Sequence, residues 1–203
     1  MRVLVACEYS GRVRNAYRAR GIDARSVDLL PAEDGETILH TQDSLEHVLS
    51  RMVVLPDLLI AHPPCTYLCN SGVRWLHSDK TRWQKMKEGA EFFRWILDLP
   101  IARIAVENPV MHKYAREIVG RGPDFTVQPW QFGDPAKKRT CFWTRGLPPL
   151  VPTSDMTAVD ARADCHLASP GPDRWKERSR TYPGLAAAIA DQWSTPVQME
   201  TPA

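Results

Sequence analysis

Pro56-Asp57-Leu58-Leu59-Ile60-Ala61-His62-Pro63-Pro64-Cys65 reads as a short buried strand with a stiff, cysteine-bearing exit. Pro56 to Ile60 carries the apolar run, and a bounded run of that length fits a strand covered on both faces. The two prolines then restrict the backbone and aim Cys65 from the strand's carboxyl end. A second run has the same build: Ile101 to Val106 leads directly into Glu107-Asn108-Pro109. In an open α/β sheet, ligands bind beyond the carboxyl ends of the strands. Cys65 and Glu107 are therefore expected to share one crevice. A thiol beside a carboxyl group is equipped to add a nucleophile to a ring while holding one of its nitrogens.

Around these two runs, the first half of the chain alternates strand and helix signals. Arg2 to Cys7 reads as a strand, and Ser10-Gly11 as a turn. Arg12 to Arg20 reads as a helix with Val13, Ala16 and Tyr17 on one face, closed by Gly21. Ala24 to Leu29 is a second strand, followed by a polar loop through Gly35. Ser44 is placed to cap a helix reaching Met52. Lys80 to Asp98 has the longest helical period, through Met86, Ala90, Phe93 and Leu97, and Pro100 stops it. This alternation predicts a Rossmann-like α/β fold, a mostly parallel sheet with helices on both faces. Phe125 to Val127 and Thr140 to Trp143 predict an antiparallel end. Residues 147–172 are proline-rich and weakly patterned, and Gly184 to Trp193 reads as a last helix. The expected organisation is one domain: a core over residues 1–146, then a connection and helix over 147–203 that pack back on it.

The bulk properties exclude little. The chain has 203 residues, 43% hydrophobic and 25% charged, with a net charge of +2, which suits one ordinary globular domain. So faint a basic balance leaves any polyanionic partner to local patches. No stretch approaches the length of a membrane span, and the N-terminus reads as a first strand, not a signal peptide. Five scattered cysteines fit a reduced, cytoplasmic setting without a disulfide framework.

Four constellations carry chemistry. Tyr9-Ser10-Gly11 lies between the first strand and helix, where a nucleotide-like cofactor meets a helix N-terminus. The three glycines of the dinucleotide fingerprint are absent, so pyrophosphate is not expected. One glycine, with Asp28 ending the second strand, suits a ribose-bearing cofactor without pyrophosphate, such as S-adenosylmethionine; the alternative is a tight turn and a solvated acid. Cys65, Cys69 and His62 do not complete a four-ligand zinc set, and Cys165-His166 is a poor complement, so no metal is expected. Glu107 at the end of an apolar strand has either a structural hydrogen-bond network with Asn108 or a substrate to pair with. In an apolar pocket its pKa should rise, keeping it protonated and able to donate. Finally, Lys137-Lys138-Arg139 and the run Arg174 to Arg180, interleaved with Trp175 and near Tyr182, suit phosphate contact and base stacking; solvated faces are the plain alternative. Arg74, Lys80, Arg82, Lys85 and Lys87 extend the same possibility beyond the cysteine loop.

Taken in order, these segments resemble the DNA cytosine-C5 methyltransferases over nearly the whole chain. Tyr9-Ser10-Gly11 is similar to that family's Phe-Ser-Gly cofactor turn, with Asp28 and Asp43 where its cofactor-contacting acids fall. Pro63-Pro64-Cys65 matches the Pro-Pro-Cys nucleophile loop, and Glu107-Asn108-Pro109 the Glu-Asn-Val segment. Phe132-Gly133-Asp134-Pro135-Ala136-Lys137-Lys138-Arg139 is similar to Phe-Gly-x-Pro-Gln-x-Arg, and Arg180 to Trp193 to the closing motif beside the cofactor. Thr66 stands where the family has glutamine, a second glycine is missing from the cofactor turn, and 143–174 is too short for a separate target-recognition domain. The resemblance implies a methyltransferase core binding S-adenosylmethionine through Tyr9, Ser10, Gly11, Asp28, Asp43 and Pro64. It implies Cys65 as nucleophile and Glu107 as acid. Asn108, Lys138, Arg139, Arg178 and Arg180 would hold nucleic acid, with DNA the expected partner, as in compact members carried by phages and prophages. The same adduct chemistry on RNA, a nucleotide or with another one-carbon donor is the alternative; a non-catalytic binding protein of the same fold is the second.

Overall fold

A computed structural model of the protein describes residues 1–163, 171 and 174–194. Seven strands form one sheet: β1 (Arg2–Ala6), β2 (Asp23–Asp28), β3 (His40–Gln42), β4 (Leu58–Ala61), β5 (Arg103–Pro109), β6 (Phe125–Val127) and β7 (Thr140–Arg145). Their order across the sheet is β3-β2-β1-β4-β5-β7-β6. The first five pair in parallel, and β7 runs antiparallel to both β5 and β6. The Rossmann-like sheet with an antiparallel end is thus the observed fold. The chain reverses its progression between β1 and β4, and a crevice outside the carboxyl ends is the ligand position such a switch creates.

Helices cover both faces. One side holds α2 (Leu45–Ser50), α4 (Thr81–Asp98) and α5 (Lys113–Val119), which bury Leu45, Met86, Phe93, Ile96 and Ala115 against Leu4, Leu59, Ile104, Val106 and Trp143. The other holds α1 (Arg12–Arg18) and α7 (Pro183–Gln192), whose Val13, Tyr17, Leu185 and Ile189 meet Val5, Ile60, Ala105 and Phe142. Two short helices complete the set, α3 (Trp75–Ser78) and α6 (Arg174–Ser179). Strand residues alternate between the faces, since successive side chains point oppositely. That parity sorts the residues at the strand ends by face.

Local signals explain the boundaries. The Ser44 side chain accepts from the His47 N–H at 3.1 Å and starts α2. Helix α1 ends earlier than its period suggests because Gly21, at φ 71°, turns the chain, with Ile22 N–H donating to the Tyr17 carbonyl and Gly21 N–H to that of Arg18. Helix α7 rests on the sheet: Trp193, which follows it, is fully buried, edge-on to Phe142, and its indole donates to the Pro148 carbonyl at 3.0 Å. Strand β3, α3, α5 and α6 carry too little pattern to be expected from sequence. Among the described residues no helix is long and apolar enough to cross a membrane.

Candidate active site

Parallel pairing aligns Ala61 of β4 with Val106 of β5. The next residues, His62 and Glu107, therefore leave the sheet side by side on the α1/α7 face. His62 Nδ1 lies 3.3 Å from Glu107 Oε2, with side-chain exposures of only 9% and 13%. Glu107 is not at a strand end: β5 continues to Pro109 because β7 pairs with it, setting Glu107 opposite Phe142. The same parity brings Lys138, two residues before the start of β7, to this face. His62, Glu107, Lys138, Thr140, Thr181 and Tyr182 line one pocket, floored by Phe142 and walled by Leu185 and Ile189 of α7.

Expectation and structure part over the charge of Glu107. Burial pushes its pKa up, but the His62 hydrogen bond and the nearby Lys138 ammonium outweigh that and hold the carboxyl below its usual range. In the resting site it is a carboxylate, not the protonated donor expected from an apolar pocket. Both Glu107 Oε1 and His62 Nε2 are buried with no hydrogen-bond partner among the described residues.

Cys65 sits on a single helical turn, its carbonyl accepting from Leu68 and Cys69 N–H groups at 3.0 and 3.1 Å. Backbone bonds from Asn70 to Val110 and from His112 to Leu68, with His112 Nε2 2.8 Å from the Tyr67 carbonyl, stitch this loop to the segment after β5. The turn puts Cys65 and Cys69 on one side. Cys65 donates to Cys69, whose sulfur also lies 3.2 Å from Ser71 Oγ. That contact, burial and the Glu107 charge push the Cys65 thiol up, while Cys69 is pushed down as the acceptor. At rest Cys65 is therefore the protonated member of the pair.

The other expected substrate contacts divide by parity and by partner. Asn108 is fully buried on the α4/α5 side, opposite Cys141, so it does not pair with Glu107. Arg139 is exposed, one residue out of phase with Lys138. Arg180 forms a bidentate pair with Glu33, at 2.5 and 2.9 Å. Arg178 is half-buried beside it on α6.

At the neighbouring strand ends, Gly11 takes φ 68° as the N-cap of α1. A Cβ there would collide with the Arg14 guanidinium and come within 2.7 Å of Asp34, so the turn requires glycine. Buried Glu8 fills the helix N-terminus, accepting from Val13 and Arg14 N–H at 2.6 and 3.2 Å. A phosphate has no place there, in keeping with the missing fingerprint. Asp28 is half-buried; burial pushes its pKa up against N–H donors from Leu30, Tyr9 and Leu29. Beside it Leu29 is 71% exposed, an apolar surface for a flat ring that periodicity alone did not flag. A ribose-bearing cofactor without phosphates fits this set. Asp43 faces His47 at 2.7 Å and Ser44 N–H, while Pro64 is exposed. Ser10 is buried, and its Oγ accepts from Arg12 N–H at 3.5 Å. Tyr9 lies beneath α6, its hydroxyl donating to the Lys176 carbonyl at 2.9 Å and its ring 6.0 Å from Trp175.

Beyond the cysteine loop, cations and rings interleave. Arg82 and Lys85 lie over the Tyr67 ring at 4.7 and 5.7 Å, and Arg74 over exposed Trp75 at 4.7 Å. Among the described residues no group of three or more His, Cys, Asp or Glu side chains is arranged to hold a metal; Cys165 and His166 lie outside them.

No family model matches the chain, and no curated protein matches it. Among solved structures it is similar to a protein described as a DNA modification methyltransferase encoded within a prophage (E. coli), at 20% identity and a TM-score of 0.46. It is similar also to the Entamoeba histolytica methyltransferase EhMeth, at 18% and 0.49, and to the S. pombe Dnmt2 methyltransferase, at 19% and 0.42. These matches cover 71, 77 and 71% of this chain but only 46, 57 and 49% of theirs, so the chain spans about half the length of those structures.

Proposed function

We propose that the protein is a compact DNA cytosine-C5 methyltransferase that transfers a methyl group from S-adenosylmethionine to cytosine through a covalent Cys65 adduct. The observation that carries this reading is that Glu107 and Lys138 share one pocket at the carboxyl edge of the sheet, with Cys65 close enough for both of their charges to act on its thiol. The target base would leave its stack to enter that pocket. The ring-and-cation surface around Tyr67 and Trp75 borders the cysteine loop and offers the core its own contacts to nucleic acid.

In this mechanism Cys65 passes its proton to Cys69, the partner of its hydrogen bond, and its sulfur adds to C6 of the ring. Glu107 pairs with N3 and supplies the proton that lets the ring accept the electron pair. Lys138 faces O2 or the neighbouring phosphate. Gly11 and Asp28 would hold the cofactor, with Leu29 against its flat ring. When bound, S-adenosylmethionine supplies an electrophilic methyl group to C5. Loss of the C5 proton to water, elimination of Cys65 and return of the N3 proton to Glu107 then restore the ring, and the proton held by Cys69 restores the thiol.

An oligonucleotide containing 5-fluorocytosine tests this directly, because C5 cannot release fluorine and the adduct persists. The expected result is a denaturation-stable complex that requires S-adenosylmethionine, forms on DNA rather than RNA, and disappears in Cys65→Ser. A complex on RNA alone would move the substrate class. Absence of any complex, with nucleic acid still retained, would leave a binding protein.

A further inference from the structure

His62 is a buried side chain of the pocket that the methyl-transfer scheme leaves without a task. It sits where a merely structural histidine is costly. Its side chain is 9% exposed, Nδ1 is committed to Glu107 at 3.3 Å, and Nε2 is buried without a partner among the described residues. A histidine retained only for packing would satisfy both nitrogens, since buried polar atoms are normally paired. Its neighbours are also charged from several sides. Glu107 on β5 touches it, Glu8 on the β1–α1 turn acts on it through space, and Lys138 and Tyr182 share the pocket from the β7 and α7 sides. Cys65, three residues on, feels the Glu107 charge.

Resting on the methyltransferase reading, we propose that His62 is the proton partner of Glu107, holding one exchangeable proton for the carboxyl group until a ring nitrogen arrives. With the pocket empty the proton stays on His62 Nδ1 and Glu107 is a carboxylate. When a base sets the N3 lone pair against the carboxylate, a carboxylate alone would repel it. The Nδ1–H bond then breaks, an O–H bond forms on Glu107, and His62 is left neutral. As Cys65 adds to C6, the O–H bond breaks in turn and N3–H forms, returning Glu107 to the carboxylate. On elimination of Cys65 the N3–H bond breaks and the proton returns through Glu107 to His62 Nδ1, so no oxidant or further reactant is needed. The arrangement makes Glu107 a donor only while a base with an unprotonated ring nitrogen fills the pocket. It therefore favours cytosine over uracil, whose N3 already carries hydrogen. His62 is a positioning residue here, since Glu107 alone touches the base.

Two readouts test the assignment, using His62→Gln, which can still donate to Glu107 but cannot carry the proton. Carboxyl carbon NMR of the substrate-free protein should show the Glu107 titration moving upward in pH when His62 is replaced. An unchanged titration would overturn the pairing, and this measurement needs no activity. Single-turnover adduct formation on a 5-fluorocytosine oligonucleotide should fall more than tenfold at neutral pH and recover at acidic pH, where Glu107 takes a proton from solvent. A loss equal at every pH would overturn the proton role and leave only packing. His62→Asn, shorter than Gln, should restore neither readout; full restoration would also overturn it. If wild-type protein forms no adduct at all, the methyltransferase reading fails, while the carboxyl titration still decides the His62–Glu107 pair.

Discussion

Replacing Gly184 by alanine should destabilise the protein measurably, because α7 is seated on a backbone with no room for a methyl group. A Cβ at Gly184 would run into the Phe132 carbonyl and stand 2.7 Å from Asp134 Oδ2. That carbonyl ends a tight turn closed by Gly133 at φ 92°, so it cannot swing aside cheaply. Ordinary carbon–oxygen contacts need about 3.3 Å or more, and relief therefore requires α7 to lift by roughly an ångström. The lift weakens the bond from the Gly184 N–H to Asp134, now 2.8 Å, a charge-assisted contact worth roughly 1.5–3 kcal/mol. Overpacking adds roughly 1–3 kcal/mol, and the better helix propensity of alanine returns about 1 kcal/mol. The net loss is about 1.5–5 kcal/mol, or roughly 3–20 °C in Tm for a chain of this length. Thermal unfolding followed by circular dichroism reads it. Gly122→Ala is the control, since nothing lies within 4 Å of its Cβ, and it should stay within about 0.5 kcal/mol of the parent. A Gly184→Ala protein unfolding with the parent would refute the tight seat. Because Leu185 and Ile189 of α7 wall the pocket, adduct formation should weaken with it.

Three further outcomes are expected. Glu107→Gln keeps the shape of the side chain but not its proton chemistry, so single-turnover adduct formation should drop about 10²–10⁴-fold while S-adenosylmethionine binding, read by calorimetry, persists; a near-parental rate would refute the assignment. Arg82→Ala with Lys85→Ala should weaken oligonucleotide binding and reduce the slope of log affinity against log salt by up to about 1.4, at about 0.7 for each phosphate contact on a single strand, with an unchanged slope counting against that surface. Alkylation of the folded protein near neutral pH should label Cys69 before Cys7 and Cys141: burial pushes Cys7 up to about 12 and Cys141 up to about 11, so both remain thiols below those values, whereas Cys69 is pushed down by the Cys65 donor. Peptide mass mapping that finds Cys7 or Cys141 modified first would contradict this ordering.

How much of this was legible in the sequence depends on how local each cause is. The runs 56–61 and 101–106 and the period of 80–98 announce β4, β5 and α4, because burial on a whole face leaves a pattern in the residues themselves. His40-Thr41-Gln42 announces nothing. It becomes β3 because the edge of β2 offers backbone partners, and two of its three side chains are exposed. That Cys65 lies near enough to Glu107 to feel its charge could be read from strand ends alone. The ionisation of Glu107 could not, since it depends on the Ala61–Val106 register that sets His62 beside it. The choice between Lys138 and Arg139 likewise becomes clear only once β7 fixes which residue points inward. Tyr9 and Arg180 answer to long-range packing of α6 and to Glu33, contacts that no local pattern encodes.

The same parity explains why this edge of the sheet is suited to a polar ring. Along the α1/α7 face, Ile60, Ala105 and Phe142 are fully buried, and in phase beyond them come His62, Glu107, and Thr140 followed by Lys138. Apolar packing below fixes the backbone, so the polar groups are aimed by the core and not by loops. Each buried atom left unpaired costs about 1–3 kcal/mol, and Glu107 Oε1 and His62 Nε2 are two such atoms in one pocket. Lys138 cannot relieve both, because an ammonium only donates. A planar ligand with a donor on its edge would pair Glu107 Oε1, the atom of the two that faces the ligand in the proposed scheme. On the proposed methyltransferase reading the amino group beside N3 of cytosine is that donor, whereas a purely apolar ligand would leave the whole cost in place.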